Sequence, residues 1–437
     1  MLRNGDRQSE SALRWKRFVR WAAAVWCAVQ VAGTGVRLDA GDWPQLLGPQ
    51  RNGHAVGETL PERFPTKELT PKFRHALGAG FAGPAVVDGR VLVFHRIDDH
   101  EVLEALDAQT GAPLWKTRFP TDYQGGYSAD TGPRCVPLVH EGRVYVFGAS
   151  GHLHCVALAD GKQIWSRALA KEYRAPEGYF GIGSTPIVAG DKLLVALGGR
   201  DGAGIVALDR ATGKTLWKAT DEQVSYASPI RAELAGTPYY LFLTRLNLLA
   251  IDPENGEIQF RHPFGKSGLT VTGATPIAFD DRVLLTASYG IGAEVVKVGP
   301  GGEVRSLWAN DETLSSQYAS GVFVDGYVYG THGREDGPPS ELRCVDPQTG
   351  TIHWATPGVG VAHLIAAGDR LLVQCVESGE LLLVEATPRA YTELDRRDIS
   401  DEVLRALPAL AGGMLYLRTT NERTNQGELL VLPLATR

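Results

Sequence analysis

Residues 207–217, A-L-D-R-A-T-G-K-T-L-W, decide the fold, because copies of this stretch recur along nearly the whole chain. Residues 105–115 read A-L-D-A-Q-T-G-A-P-L-W, residues 250–260 A-I-D-P-E-N-G-E-I-Q-F, and residues 344–354 C-V-D-P-Q-T-G-T-I-H-W. Looser copies end at Trp165 and Trp308, a worn one ends near Leu394, and Phe73 in P-K-F-R-H-A-L is an eighth marker. The markers stand about 40 to 52 residues apart, a spacing that belongs to four-stranded blades and not to single helical repeats.

The unit has a mechanical reading. Alternating apolar residues before Asp209 form a strand, Asp209 bonds the backbone just beyond it, and Gly213 supplies the positive φ of a tight hairpin before Trp217 opens the next strand. Each unit is preceded by a strand with its own hairpin signal, as in V-V-D-G-R-V-L-V-F at 86–94 and L-V-H-E-G-R-V-Y-V-F at 138–147. Sheets this small cannot bury both faces unless neighbours stack on them. The chain therefore reads as all-β, with 51 Gly and 25 Pro in its turns and one short helical turn expected at 400–406. Eight such strands, near Val86, Leu138, Ile187, Leu241, Val283, Val322, Leu371 and Leu415, give eight blades. The last runs out before its outer strand, and the Phe73 segment has no blade of its own, so the two ends complete one blade between them. That closure removes free sheet edges.

Residues 1–40 do not match the repeat. Arg14, Lys16, Arg17 and Arg20 precede a short apolar run from Trp21 to Ala32, the layout of a secretory signal peptide, with an uncleaved N-terminal anchor as the alternative. Trp26 before Cys27 argues against lipidation. The net charge is −6; residues 1–40 hold seven basic and three acidic residues, so residues 41–437 stand at −10. That balance argues against a nucleic-acid groove or an anionic membrane surface as the main partner. The lead-in D-W-P-Q-L-L-G-P-Q-R-N-G at 42–53 reads as an extended segment lying across the ring.

The A-L-D-x-x-T-G-x-x-x-W unit resembles the repeat of the PQQ-like β-propellers, which include quinoprotein alcohol and glucose dehydrogenases and a non-catalytic propeller lipoprotein of outer-membrane assembly. The resemblance runs from about Trp43 to the C-terminus and implies an eight-bladed propeller. In that family the ring closing each repeat docks between neighbouring blades, which assigns this role to Phe73, Trp115, Trp165, Trp217, Trp308 and Trp354, with Phe260 as a departure. Leu394 lacks both ring and turn glycine, leaving the seventh blade's docking open. The dehydrogenases of the family hold the quinone PQQ over two adjacent cysteines, with a calcium held by Glu, Asn and Asp and a catalytic Asp. This chain has no adjacent cysteine pair, and no Glu/Asn/Asp set can be placed at matching positions.

Other chemistry is sparse. Cys135, Cys155, Cys344 and Cys375 form no C-x-x-C and read as buried thiols. His152 and His154 share a strand face but have no third ligand at metal spacing, and His95, Asp98, Asp99 and His100 cluster in what reads as a solvated hairpin loop. No metal or catalytic residue is assigned. The segments entering the inner strands (123–134, 173–184, 224–228, 269–275, 314–320 and 358–363) converge on one face and carry Tyr127, Arg134, Tyr179, Tyr226, Gln317, Tyr318 and His363. Tyr and Arg offer wide contact area with a polar tip, so this funnel face either binds a partner or is plugged by its own tyrosines. The loop T-H-G-R-E-D-G-P-P-S at 331–340 lies on the same face and either grips a peptide or glycan or is a solvated insertion.

The preferred expectation is an exported, monomeric, non-catalytic binding or scaffold module of the cell envelope, with an envelope protein, peptide or glycan as partner and no cofactor. One alternative is a dehydrogenase using PQQ with calcium. Another is a polysaccharide-active enzyme, for which only Asp130 and Glu177 could supply the paired carboxylates.

Overall fold

The computed structural model describes residues 41–434; the segment read as an export signal or anchor lies outside them. Strands pair into eight antiparallel sheets of four. The first blade runs from the centre outward through Ala85–Val87, Arg90–Ile97, His100–Asp107 and Pro113–Pro120. Blades 2 to 7 repeat this order over residues 138–168, 187–219, 230–263, 277–310, 322–357 and 362–398. In blade 8, Ala409–Ala411, Met414–Thr420 and Gly427–Pro433 are completed by Phe73–Leu77, which pairs antiparallel with Gly427–Pro433. The ring of an eight-bladed β-propeller is thus closed by a strand from the other end of the sequence.

The repeat unit does what its residues dictate. Asp209 Oδ1 accepts the backbone N–H and the hydroxyl of Thr212 at 2.7 and 2.6 Å, and Gly213 sits at φ 72°. A β-bulge falls at each of these turns, so Ala207 faces Trp217 while Leu208 faces Thr215. The bulge swings the ring against the next blade. Phe73 lies against Gly111, Trp115 against Gly161, Trp165 against Gly213, Trp217 against Gly256 and Trp308 against Gly350, where a Cβ would meet the ring at 2.4 to 3.2 Å. The indole N–H groups reach across the same seams, from Trp115 to Leu158 O, Trp165 to Arg210 O, Trp217 to Pro253 O and Trp308 to Pro347 O, at 2.9 to 3.1 Å. Phe260 packs less closely, 3.9 Å from a Cβ built at Gly302. Trp354 donates to Thr387 O and meets Tyr391 in place of a glycine.

The hairpin signal in 86–94 is met, with Asp88 and Gly89 joining Ala85–Val87 to Arg90–Ile97; two other expectations change. Residues 400–406 form no helix: Leu404 N–H donates to Val376 O, Thr420 N–H donates to Val403 O, and Gln374 Nε2 binds both Leu404 O and Ala406 O. Those backbone groups are spent on neighbouring blades. The described α-helix is instead Leu169–Glu172. Finally, the bulge in blade 7 sets Leu383 opposite Asp395 and Val384 opposite Glu393, so Asp395, not Leu394, occupies the ring position. Phe64 replaces the missing ring. It is buried in the cluster that unites blades 7 and 8, and its N–H donates to Asp395 Oδ2 at 2.9 Å.

Candidate functional site

The centre of the ring is filled by the lead-in. Trp43 bridges Val86 of blade 1, Pro44 O accepts from Val139 of blade 2, and Ala55 N–H donates to Ala366 O of blade 7. Between these contacts the chain coils through turns rather than lying extended, since Gly48 N–H returns to Gln45 O and Gly53 N–H to Leu47 O. Coiling sends Arg51 to the far side, where its buried guanidinium donates to Thr185 O, Pro186 O and Pro229 O at the entrances to blades 3 and 4. Burial lowers its pKa to about 9, so it stays charged at neutral pH, neutralised by carbonyl dipoles. Leu46 packs on Val136 beside Leu407.

Above this plug is a cup of about 280 Å³. Arg134, Tyr226, Gln317, Tyr318 and His363 line it, joined by Leu46, Phe81, Phe180, Glu335 and Arg405. Arg134 stacks on Phe81 and Phe180, its guanidinium 5.5 Å from each ring centre, and Arg405 stacks on Phe81 at 4.9 Å. Arg405 also binds Glu335 at 3.1 Å and Glu422 at 3.0 Å. Tyr318 OH donates to the same Glu335 oxygen at 2.8 Å, and burial raises its pKa well above the ordinary phenol value. His363 Nε2 meets Arg405 O at 2.9 Å; burial lowers this histidine to about 4, keeping it neutral. Tyr226 OH accepts Phe180 N–H at 2.8 Å, and Gln317 Nε2 donates to Tyr289 OH at 2.6 Å.

Tyr127 and Tyr179 stand outside the cup, on its rim. Tyr127 is 78% exposed, and its ring meets Tyr179 edge-on at 6.3 Å and Phe180 at 6.2 Å. Leu269, on the blade 4 to 5 connection, is 76% exposed. Phe180 therefore belongs to both rim and cup. Sequence reasoning missed Phe81, Phe180, Glu335 and Arg405 as lining residues. Phe180 and Glu335 lie in segments it had marked, whereas Arg405 was hidden in the stretch read as a helical turn.

The remaining candidates lie outside the lining of the cup. Asp130, for which an acid–base role was considered, is 2% exposed and accepts from Gly80 N–H and Gly132 N–H at 2.9 and 3.1 Å. Glu177 lines a separate cavity of about 440 Å³ that meets the cup at Gly183 and Tyr226. His95 is no loop residue but is buried in a strand, between Gly78 N–H at 2.8 Å and Glu104 at 2.9 Å. His154 stacks on Phe119 at 3.8 Å, and burial lowers it to about 3. Cys135, Cys155, Cys344 and Cys375 are buried, free thiols. Among the described residues no group of three His, Cys, Asp or Glu is placed to hold a metal.

Comparison with known proteins agrees with this geometry. A quinohemoprotein alcohol dehydrogenase from Comamonas testosteroni superposes with a TM-score of 0.67 at 14% identity, over 93% of this chain and 83% of that one. BamB from Moraxella catarrhalis superposes with a TM-score of 0.60 at 16% identity, over 83% of this chain and 99% of that one. At such identities both establish the fold alone. An outer membrane protein assembly factor BamB from Burkholderia pseudomallei is 24% identical over 333 residues, 72% of this chain and 77% of that protein. The family model described as "Outer membrane protein assembly factor BamB" matches residues 50–146 and 99–356, more than half the chain. The chain belongs to that BamB family of PQQ-like β-propellers.

Proposed function

We propose that the chain is a non-catalytic binding module of the cell envelope that works through its funnel face and takes part in assembling outer membrane proteins, as its family's description indicates. The observation that carries this reading is the rim: Tyr127 and Leu269 are largely exposed at the mouth of a cup whose walls are aromatic. Exposed aromatics around a concave site are what a protein partner uses as anchors. The donor set does not fit the quinone alternative. Asp130 is committed to two backbone N–H groups and Glu335 to Tyr318 and Arg405, no metal-holding group of three His, Cys, Asp or Glu occurs among the described residues, and no adjacent cysteines occur in the sequence.

The test uses the full chain and outer membrane assembly proteins of the same cell. Replacing Tyr127 and Tyr179 together by serine is expected to reduce recovery of the partner at least tenfold, whereas Leu114→Ser, on an exposed outer strand, leaves it unchanged. Equal recovery by both variants would overturn the funnel-face reading. A parallel titration with PQQ and calcium, followed by quinone absorbance and melting temperature, is expected to show no binding. Tight, calcium-dependent binding would return the dehydrogenase.

A further inference from the structure

We infer that the cup receives one large apolar side chain of a partner polypeptide, and that a carboxylate beside that side chain pairs with Arg134. The inference rests on the binding-module reading and names what the funnel face grips. The two arginines of the cup differ in how far their charge is already met. Arg405 lies within 3.1 Å of two carboxylates, Glu335 and Glu422. Arg134 donates one hydrogen bond, to Gly132 O at 3.1 Å, and its carboxylate neighbour Asp130 stands 3.6 Å away with its oxygens already accepting two backbone N–H groups. Its guanidinium has donors to spare, is held by two aromatic faces, and keeps 15% of the side chain exposed. A planar cation fixed this way, with most of its donors still free of a hydrogen bond, favours a carboxylate.

The space fits the other half of the inference. A cavity of about 280 Å³ walled by Leu46, Phe81, Phe180 and Tyr226 is the size of a single large side chain, and burying one there is how a few residues come to dominate an interface. Gly183 and Tyr226 also line the neighbouring cavity of about 440 Å³, together with Tyr179, so the residues flanking the inserted side chain in the partner would lie along that wall, with Tyr127 and Leu269 exposed nearby. The chain's net charge of −6 and a single under-neutralised arginine disfavour a polyanion such as nucleic acid, which needs many cations.

The probe is a blocked, fluorescein-labelled nonapeptide of Gly and Ser with a central Trp-Glu pair, measured by anisotropy against the full chain. Ala-Glu and Trp-Lys versions serve as controls. Trp-Glu is expected to bind at least tenfold more tightly than Ala-Glu and about tenfold more tightly than Trp-Lys. Arg134→Met should abolish the Glu-over-Lys preference and keep the Trp-over-Ala preference, while Arg134→Lys keeps most of both. If Arg134→Met fails to fold, salt decides: raising NaCl should weaken Trp-Glu binding several-fold and leave a Trp-Gln peptide unchanged. Equal affinity for all peptides, or displacement of Trp-Glu by PQQ or by a linear glycan, overturns the inference. Peptides that do not bind, with partner capture still lost on replacing Tyr127 and Tyr179, would sink the inference and leave the binding-module reading standing; insensitivity of both would sink the two together.

Discussion

Of the eight seams of this propeller six are alike, the one between blades 6 and 7 keeps its ring but sets Trp354 against Tyr391 in place of a glycine, and the one between blades 7 and 8 has no ring of the repeat at all. At the seams from blade 8–1 round to blade 5–6, a ring from one blade rests on the turn glycine of the next. Between blades 7 and 8 there is neither ring nor turn. Blade 8 takes its third strand from the end of the described chain and its outer strand from residues 73–77, so no hairpin joins them and no turn glycine exists for a ring to rest on. A tryptophan at residue 395 would have nothing to land on. Phe64, arriving from the N-terminal segment, fills that seam instead, held by Asp395 and by the Arg397 guanidinium 5.6 Å from its ring centre. Closing a ring with strands from both ends thus removes the device that seals the other seams, and the lead-in supplies another.

The largest effect is expected where a repeat seam is broken. Trp165 is buried, touches Tyr145, and donates to Arg210 O, so Trp165→Ala should cost about 4 kcal/mol by loss of transfer energy plus the cavity left behind. Chemical denaturation followed by fluorescence measures it. Phe64→Ala should cost about 3 kcal/mol, but with a different footprint. Hydrogen exchange should accelerate in 58–66 and 409–420 and stay unchanged in blades 2 to 4. Uniform acceleration around the ring would mean that the closing seam is no weaker a point than the others.

The difference between the seams also marks what could be read from the sequence. The D-x-x-T-G turn and the ring after it are local: Asp209, Thr212, Gly213 and Trp217 lie within one hairpin and each carries its own physical reason, so blade number and closure were legible. Phe64 was not, because nothing near it in sequence says that Asp395 lacks a ring; the bulge that skips Leu394 becomes visible only in the pairing. The cup follows the same rule. Tyr226 and Tyr318 stand beside inner strands the pattern locates, whereas Arg405 reaches the funnel because Gln374 and His363, from blade 7, grip the backbone on either side of it. Contacts between segments far apart in sequence leave no periodic signal.

A repeat seam also contains a titrating group. Glu101 of blade 1 is buried and accepts Ala149 N–H of blade 2 at 2.7 Å, while its second oxygen has no partner among the described residues. Burial raises it from 4.5 to about 7. Between those values the folded chain keeps a proton that the unfolded chain has released, so this group's contribution is full below about pH 4.5 and is lost as pH rises through 7. His154 and His363, held neutral, act in the opposite direction and remove stability as pH falls below 6.5. The difference between variant and parent isolates the carboxyl. Glu101→Gln should gain about 3 kcal/mol over the parent at pH 8 and almost nothing at pH 4.5; a difference independent of pH would mean that Glu101 is ionised throughout.

The smallest effect tests how the irregular seam holds its ring. Asp395 both accepts the Phe64 N–H and pairs with Arg397. These roles separate by substitution: Asp395→Asn keeps an acceptor and loses the charge, and Asp395→Ala loses both. The ion pair is partly solvated, so the asparagine variant should cost about 0.5 kcal/mol. The alanine variant leaves a backbone donor without its partner at a buried ring and should cost about 1.5 kcal/mol. In a Phe64→Ala background the alanine penalty should shrink below about 0.5 kcal/mol, since the N–H no longer needs to be held where the ring is gone. An undiminished penalty in the double variant would show that Asp395 serves blade 7 itself and that Phe64 finds its seam by apolar packing alone.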